Sequence, residues 1–379
     1  MAETGDIPIP GHVAEALSGL APGARVVVAM SGGVDSALSA ALCRRLGLDV
    51  VAITLQLYDH GRTVSKPGAC CAGADIHDAR RIAGKLDIPH YVLDYEARFR
   101  AAVIDDFADS YLAGETPIPC VRCNQKIKFR DLLETARGLG ARALITGHYA
   151  RRIEGASGPE LWRAVDASRD QSYFLFATLP AELDFLRFPL GGFSAKREVR
   201  QLAAQLGLAV AEKPDSQDIC FVPEGRYWQT VARHRPGADG PGPIVDSAGR
   251  VLGLHAGITR FTVGQRRGLG LSGPEALYVL RIEPEGRRLV VGPRSGLERR
   301  ALRLREMNWL SAPGGGELAA QIKIRSTRPA VPARVRALGD GAAQVELDVA
   351  ETGVAPGQAG VLYQGERVLG GGWIAREAA

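Results

Sequence analysis

Val26-Val27-Val28-Ala29-Met30-Ser31-Gly32-Gly33-Val34-Asp35-Ser36 is the stretch from which the rest of the chain is read. An unbroken apolar run enters a glycine-containing polar turn, and Ala37-Leu38-Ser39-Ala40-Ala41-Leu42 then resumes with helical character. This order predicts a buried parallel strand, a tight loop and a helix N-terminus. Backbone N–H groups converge at such a loop, and the helix adds roughly half a positive charge there, so the turn suits an anion. Gly32 and Gly33 let backbone approach a ligand closely, Ser31 and Ser36 add hydroxyls, and Asp35 offers a carboxylate for Mg²⁺ or a cap. The common phosphate loop ends in Gly-Lys-Ser/Thr, and no lysine follows Gly33.

Composition sets outer limits. The 379 residues exceed one hydrophobic core, and two or three domains are expected. A hydrophobic content of 46% is ordinary for a globular protein, and no apolar run approaches the roughly 20 residues that span a bilayer. The first residues, Met1-Ala2-Glu3-Thr4-Gly5-Asp6, are acidic and lack the apolar centre of a signal peptide, so a cytoplasmic protein is expected. Six cysteines (Cys43, Cys70, Cys71, Cys120, Cys123, Cys220) are too few for a secreted disulfide framework. The net charge of +5 is too mild to name a partner.

Strand patterns at 49–57, 89–94 and 143–147 alternate with helical patterns at 75–86, 99–112 and 124–138, after a helical lead-in over 1–23. That alternation implies parallel βαβ units and an α/β fold with a doubly wound parallel sheet. Ligands in such sheets sit at the carboxyl ends of strands, where the order reverses. A nucleotide is therefore expected between the 31–36 turn and Thr146-Gly147-His148, held by Ala29, Met30, Ser31, Gly32, Gly33, Val34, Asp35, Ser36 and Gly147, with Leu55 lining the base. After about residue 205 glycine and proline become dense and short alternating runs replace helical periodicity. Two small β domains follow from this, the last a β-barrel, with domains at 1–208, 209–292 and 293–379. Gly268-Leu269-Gly270-Leu271-Ser272-Gly273 matches a dinucleotide fingerprint, but no helical pattern follows, and it reads as a loop.

The remaining chemistry lies in cysteines. Cys123, expected at or just before a helix N-terminus with Arg122, Lys126, Lys128 and Arg130 near in sequence, is set up to be a thiolate. Cys220, in Ile219-Cys220-Phe221, is the second candidate. Cys43 falls on the apolar face of its helix and reads as a buried hydrophobe, and Cys70 and Cys71 read the same way.

Ser31–Ser36 resembles the PP-loop of ATP pyrophosphatases, Ser-Gly-Gly-x-Asp-Ser, at all six positions. Over about 25–373 the chain resembles the tRNA-specific 2-thiouridylases. The likeness is carried by that loop, by 116–129 with Cys123-Asn124 and Ile127-Lys128-Phe129, and by Thr146-Gly147-His148-Tyr149. It continues through Arg169-Asp170-Gln171-Ser172-Tyr173-Phe174, Asp215-Ser216 to Phe221, 264–270 and Pro356-Gly357-Gln358. The resemblance implies that ATP adenylates the C2 oxygen of the tRNA wobble uridine. It further implies that Cys220 carries a persulfide from a sulfur-donor protein and that Cys123 releases this sulfur, leaving a Cys123–Cys220 disulfide for a reductant. It makes His148, Arg169, Asp170, Gln171 and Gln358 tRNA contacts. Arg151, Arg152, Arg266, Arg267, Lys323, Arg325 and Arg328 are further basic residues for RNA phosphates.

The chain departs from the family in two places. Cys120 stands where many members have Asp, and Arg325-Ser326 stands where some have Arg followed by an aromatic. Cys120, Cys123 and Cys220 also make three thiolates, the number that holds a [4Fe–4S] cluster with one open iron. A PP-loop ligase that forms amides through the same adenylation, and an RNA-binding module without chemistry, are the competing classes. A ligase needs no paired reactive cysteines, and a binding module releases no pyrophosphate.

Overall fold

Strand β1 (Arg25–Ala29) lies at the centre of a five-stranded sheet in the computed structural model. The structure describes residues 7–58, 72–215, 219–222, 225–272, 275–311 and 313–376. The chain divides into two compact units. The first comprises Met1–Arg100, Cys123–Phe221 and Glu366–Val368, and the second comprises Ala101–Arg122, Val222–Gly365 and Leu369–Ala379.

In the first unit β1 is joined by β2 (Asp49–Gln56), β3 (His90–Asp94), β4 (Ala143–Ile145), the hairpin β5 (Ala150–Gly155) and β6 (Gly158–Arg163), and β7 (Leu186–Arg187). The sheet order is β3-β2-β1-β4-β7, and every pairing in it is parallel. The chain winds outward from β1 through β2 to β3, then crosses back to β4. The reversal therefore lies between β1 and β4, whose carboxyl ends carry the glycine loop and Thr146-Gly147. Val26 and Val28 enter one core with Leu38, Leu42, Val50, Ala52, Ile82 and Val199, while Val27, also fully buried, turns to the opposite face. Burial on both faces explains why β1 is continuously apolar. The helix Val34–Arg45 is buried at nine of its twelve residues, which its alanines permit, and it ends with Arg44 and Arg45 in the last turn and Gly47 at φ +74°.

Two helices differ from expectation. The first predicted at 99–112 starts at Glu96 and contains a π-helical segment, Arg100–Ile104, before Asp105–Leu112. The second, predicted at 124–138, begins at Pro119 as Pro119–Cys123, continues through a π-helical segment, Asn124–Asp131, and ends as Leu132–Gly138. Proline suits a first helical position because it needs no N–H acceptor there. Of the lead-in, only Gly11–Ala16 is helical among the described residues.

The second unit holds β8 (Gly242–Val245), β9 (Val251–His255), β10 (Tyr278–Glu283) and β11 (Arg288–Gly292), in the order β10-β11-β8-β9. It continues with β12 (Glu298–Trp309), β13 (Glu317–Lys323), β14 (Val331–Ala337), β15 (Ala343–Thr352), β16 (Ala359–Gln364) and β17 (Arg367–Ile374). These run β12-β15-β14-β13-β16-β17, and a β12–β17 pairing closes the barrel. The run Gly370-Gly371-Gly372 in β17 hides a strand in the sequence, yet closure needs it. A Cβ on Gly370 would strike the carbonyl of Asn308, and one on Gly372 would strike that of Arg305. Arg235 holds the helix Asp105–Leu112 through Asp105 at 2.7 Å and Asp109 at 2.8 Å, and Arg122 bonds Glu306 at 3.0 Å and covers the Trp373 ring at 4.3 Å. Residues 268–272 form no helix, and Gly273, Cys70 and Cys71 lie outside the described residues. Leu38 is 0% exposed, so Leu38→Ala should cost about 2–5 kcal/mol, read from urea denaturation of the first unit.

Candidate active site

The loop between β1 and the helix Val34–Arg45 is held from within. The Ser36 hydroxyl accepts from the Ser31 N–H at 3.1 Å and lies 3.2 Å from both the Ser31 hydroxyl and the Gly33 carbonyl, donating to the latter. Gly32 has φ +75°, and a Cβ there would collide with the carbonyl of Asp75. Gly33 is the N-cap residue, and no side chain caps the helix, so its first N–H groups stay available to an anion. Gly147 closes the other side. A Cβ on it would stand 3.0 Å from Asp35 and from the Ser36 nitrogen, so the β4 turn presses directly on the helix start. The two strand ends predicted to face one crevice do so. Met30 and Val34 are buried beneath the loop, and Leu55, half-buried near the carboxyl end of β2, pairs in register with Leu93.

An ionic network lies behind the loop. Lys196 Nζ donates to both oxygens of Asp35 at 2.7 Å and lies 3.1 Å from Asp215 Oδ1. The Tyr149 hydroxyl donates to Asp35 Oδ1 at 2.7 Å, and burial, followed by the Asp35 charge, pushes its pKa far up and keeps it a donor. Asp215 also receives Arg169 at 2.8 Å and Arg200 at 3.0 Å. Burial alone would raise the Asp215 pKa, but the hydrogen bond from Lys196 and the surrounding cations outweigh it and hold the pKa below the ordinary value. Lys213 donates to the Gly32 carbonyl at 3.0 Å and to Asp75 and Asp78 at 2.7 Å, tying the loop to the helix Ala72–Leu86.

Cys123 and Cys220 both belong to the first unit, with the loop. Cys123 is buried with helical φ −62°, ψ −47°; it is the fifth residue of its helix rather than the N-terminal one, because Pro119 starts that helix. Cys120 is the residue in the first turn, and it is exposed. The Asn124 side chain donates to the Phe174 carbonyl at 3.2 Å, the Gln171 side chain accepts from the Tyr149 N–H at 2.9 Å, and Tyr149 reaches Asp35. The Cys123 segment is thus linked to the glycine loop by short steps. Cys220 is exposed and follows Asp215 by five residues, so its Cα lies within roughly 18 Å of the Asp215 Cα. Phe221 packs on Phe99 with ring centres 5.7 Å apart. Cys43 is fully buried, and burial pushes its thiol up to about 12, an inert state.

Among the described residues no group of three or more His, Cys, Asp or Glu side chains could hold a metal ion. Of the three cysteines offered for an iron–sulfur cluster, Cys123 is buried and Cys120 and Cys220 are exposed. Asp35, the carboxylate offered for Mg²⁺, is taken by Lys196 and Tyr149.

The residues expected to touch RNA have structural partners as well. Asp170 accepts from the Ala164 and Ser172 N–H groups and from the Ser172 hydroxyl, Gln171 braces Tyr149, and Arg169 pairs with Asp215. Gln358 lies in the second unit, where its side chain donates to the Thr116 carbonyl at 2.9 Å. Arg151 pairs with Glu366, Arg152 with Glu154 and Asp184, and Arg328 with Glu351, while Arg266 and Arg267 are exposed. His148 packs near Phe129 and Phe188, and burial, then Lys128, push its pKa well below the ordinary value, so it is neutral at pH 7. Lys196 and Lys213 were not foreseen from the sequence. A lysine opening a helix, against the helix dipole, is the signal that could have singled out Lys196.

Gly32→Ala should lower stability by about 1–3 kcal/mol in urea denaturation and abolish binding of inorganic pyrophosphate measured by calorimetry. The neutral His148 gives a pH dependence of known sign. Its unfolded form takes up a proton below about pH 6.5 while the folded form resists, so stability falls with acidification by up to about 1.4 kcal/mol per pH unit. His148→Asn should remove that component of the acid slope.

Residues 24–224 match the family model for the tRNA methyl transferase HUP domain, 229–293 the tRNA methyl transferase PRC-barrel domain, and 299–374 the aminomethyltransferase beta-barrel domain. The chain is 63% identical to the tRNA-specific 2-thiouridylase MnmA of Rhodospirillum centenum, over 94% of this chain and 92% of that protein. It is 61% identical to the protein of that name from Parvibaculum lavamentivorans, over 93% and 91%, and 59% identical to that of Paracoccus denitrificans, over 92% and 91%. With an uncapped helix start behind a Ser-Gly-Gly-x-Asp-Ser turn, two cysteines in the same unit and relatives at this identity over nearly the whole length, the chain belongs to the tRNA-specific 2-thiouridylase family.

Proposed function

We propose that the protein thiolates tRNA at C2 of the wobble uridine (position 34), using ATP, in the cytoplasm. The observation that supports this reading is the single unit that holds Cys123, Cys220 and an anion-ready helix N-terminus, to which the segment bearing Cys123 is linked through Tyr149, and Asp215, five residues before Cys220, through Lys196. The 1–208 segment is read as the catalytic domain, with β domains at 209–292 and 293–379 that help to hold tRNA.

The uridine C2 oxygen is a poor leaving group. Transfer of AMP from ATP to that oxygen makes it a good one and releases pyrophosphate, whose charge the loop N–H groups and helix dipole accommodate. Any Mg²⁺ arrives with ATP and neutralises phosphate charge. Exposed Cys220 accepts a terminal sulfur from a persulfide-carrying donor protein, and that sulfur attacks C2. Cys123 attacks the inner sulfur of Cys220, AMP departs, and a Cys123–Cys220 disulfide remains for a cellular dithiol to reduce. A transient disulfide of this kind suits a reducing compartment. His148, neutral, and Arg169, Asp170, Gln171 and Gln358 are read as contacts to tRNA.

Mass spectrometry of tRNA after incubation with ATP, a persulfide donor and the protein tests the proposal. Wild type should add the sulfur-for-oxygen mass difference at the wobble uridine, and Cys123→Ser and Cys220→Ser should not. Full thiolation by both variants would refute the roles of the two thiols, and an amide product would point to a ligase.

A further inference from the structure

Lys196 breaks a local rule. It is the first residue of the helix Lys196–Gln205, where the helix dipole opposes a cation, and it is almost wholly buried at 8% exposure. Such an arrangement is stable only if anions offset it. Two do: Asp35, in the first turn of the helix that opens on the nucleotide loop, and Asp215, five residues before Cys220. These carboxylates belong to segments far apart in sequence, and among the described residues Lys196 is the only side chain that forms ion pairs with both. Remove the ammonium, and two carboxylates that shared one cation face each other across it. Asp215 still has Arg169 and Arg200, but neither reaches Asp35.

We propose that Lys196 is a positioning residue for sulfur transfer, which holds Asp215, five residues before Cys220, against the start of the nucleotide-loop helix by bridging Asp35 and Asp215. The inference rests on the thiolation reading above and adds to it the group that registers the sulfur-bearing segment on the activated base. Lys196 takes no part in bond making. Its effect falls on the second half-reaction: without the bridge, adenylated tRNA forms, but the persulfide of Cys220 is out of place. Water then attacks the adenylated C2 carbon instead, restoring uridine and releasing AMP.

The readout is the ratio of pyrophosphate released to thiouridine formed, at saturating ATP, with tRNA and a persulfide donor present. Wild type and Lys196→Arg, which keeps the charge, should form the two in equal amounts. Lys196→Gln should raise the ratio by about tenfold or more. Asp215→Asn breaks the same bridge from the other end while Lys196 still holds Asp35, and it should raise the ratio too, so the test stands even if Lys196→Gln folds poorly. A residue needed only for folding would lower both products in parallel. An unchanged ratio in Asp215→Asn, or a parallel loss in a folded Lys196→Gln, overturns the proposal. Wild type that releases pyrophosphate with tRNA yet makes no thiouridine overturns the thiolation reading itself, a failure visible before any variant is compared.

Discussion

The candidate site depends on one backbone geometry. At Gly32 the chain turns through φ +75° with the Asp75 carbonyl packed where a side chain would begin. Only glycine adopts this without strain and without a clash. The turn aims the uncapped start of the helix Val34–Arg45 into the crevice between β1 and β4, and Ser36 bonds back across the loop to hold it there. Gly147 has the same purpose from the opposite strand end, letting the β4 turn touch Asp35 and Ser36. A loop already rigid before its ligand arrives loses little freedom on binding.

Around that loop the protein places charge in an alternating pattern. Lys213 neutralises Asp75 and Asp78 while bonding the Gly32 carbonyl, and Lys196 does the same for Asp35 and Asp215. Each cation is shared between two carboxylates, so each is a junction between segments rather than an isolated pair. In a partly buried setting such junctions favour a defined arrangement more than they favour stability, because desolvation offsets much of the attraction. The neutral state of His148 has a related cause, since burial and then the nearby Lys128 both disfavour its charged form.

Much of this was legible in the sequence. The apolar run 26–29 and its glycine turn implied the central strand and the anion loop, and the alternation of β and helical patterns implied the parallel sheet. The β5–β6 hairpin was not legible, because Ala150-Arg151-Arg152-Ile153-Glu154 carries its charge in ion pairs that only the fold supplies. Nor was β17, because three consecutive glycines carry no strand pattern, and the need for them is seen only with β12 lying against them. The π-helical segments before Asp105 and after Cys123 have no periodic signature, since one extra residue per turn shifts a pattern without announcing itself.

The sequence by itself determined that a glycine turn suited to an anion opens a helix after a buried strand, and it singled out Cys123 and Cys220 as candidate thiols. Both follow from residue type and from spacing along a few adjacent positions, where local geometry is dictated by glycine, helix and strand. Only the tertiary structure decided what joins them. Asp35, Tyr149, Lys196 and Asp215 are separated by long stretches of chain, and the pairing of charges over such separations is set by how a parallel sheet brings its crossover segments back to one edge.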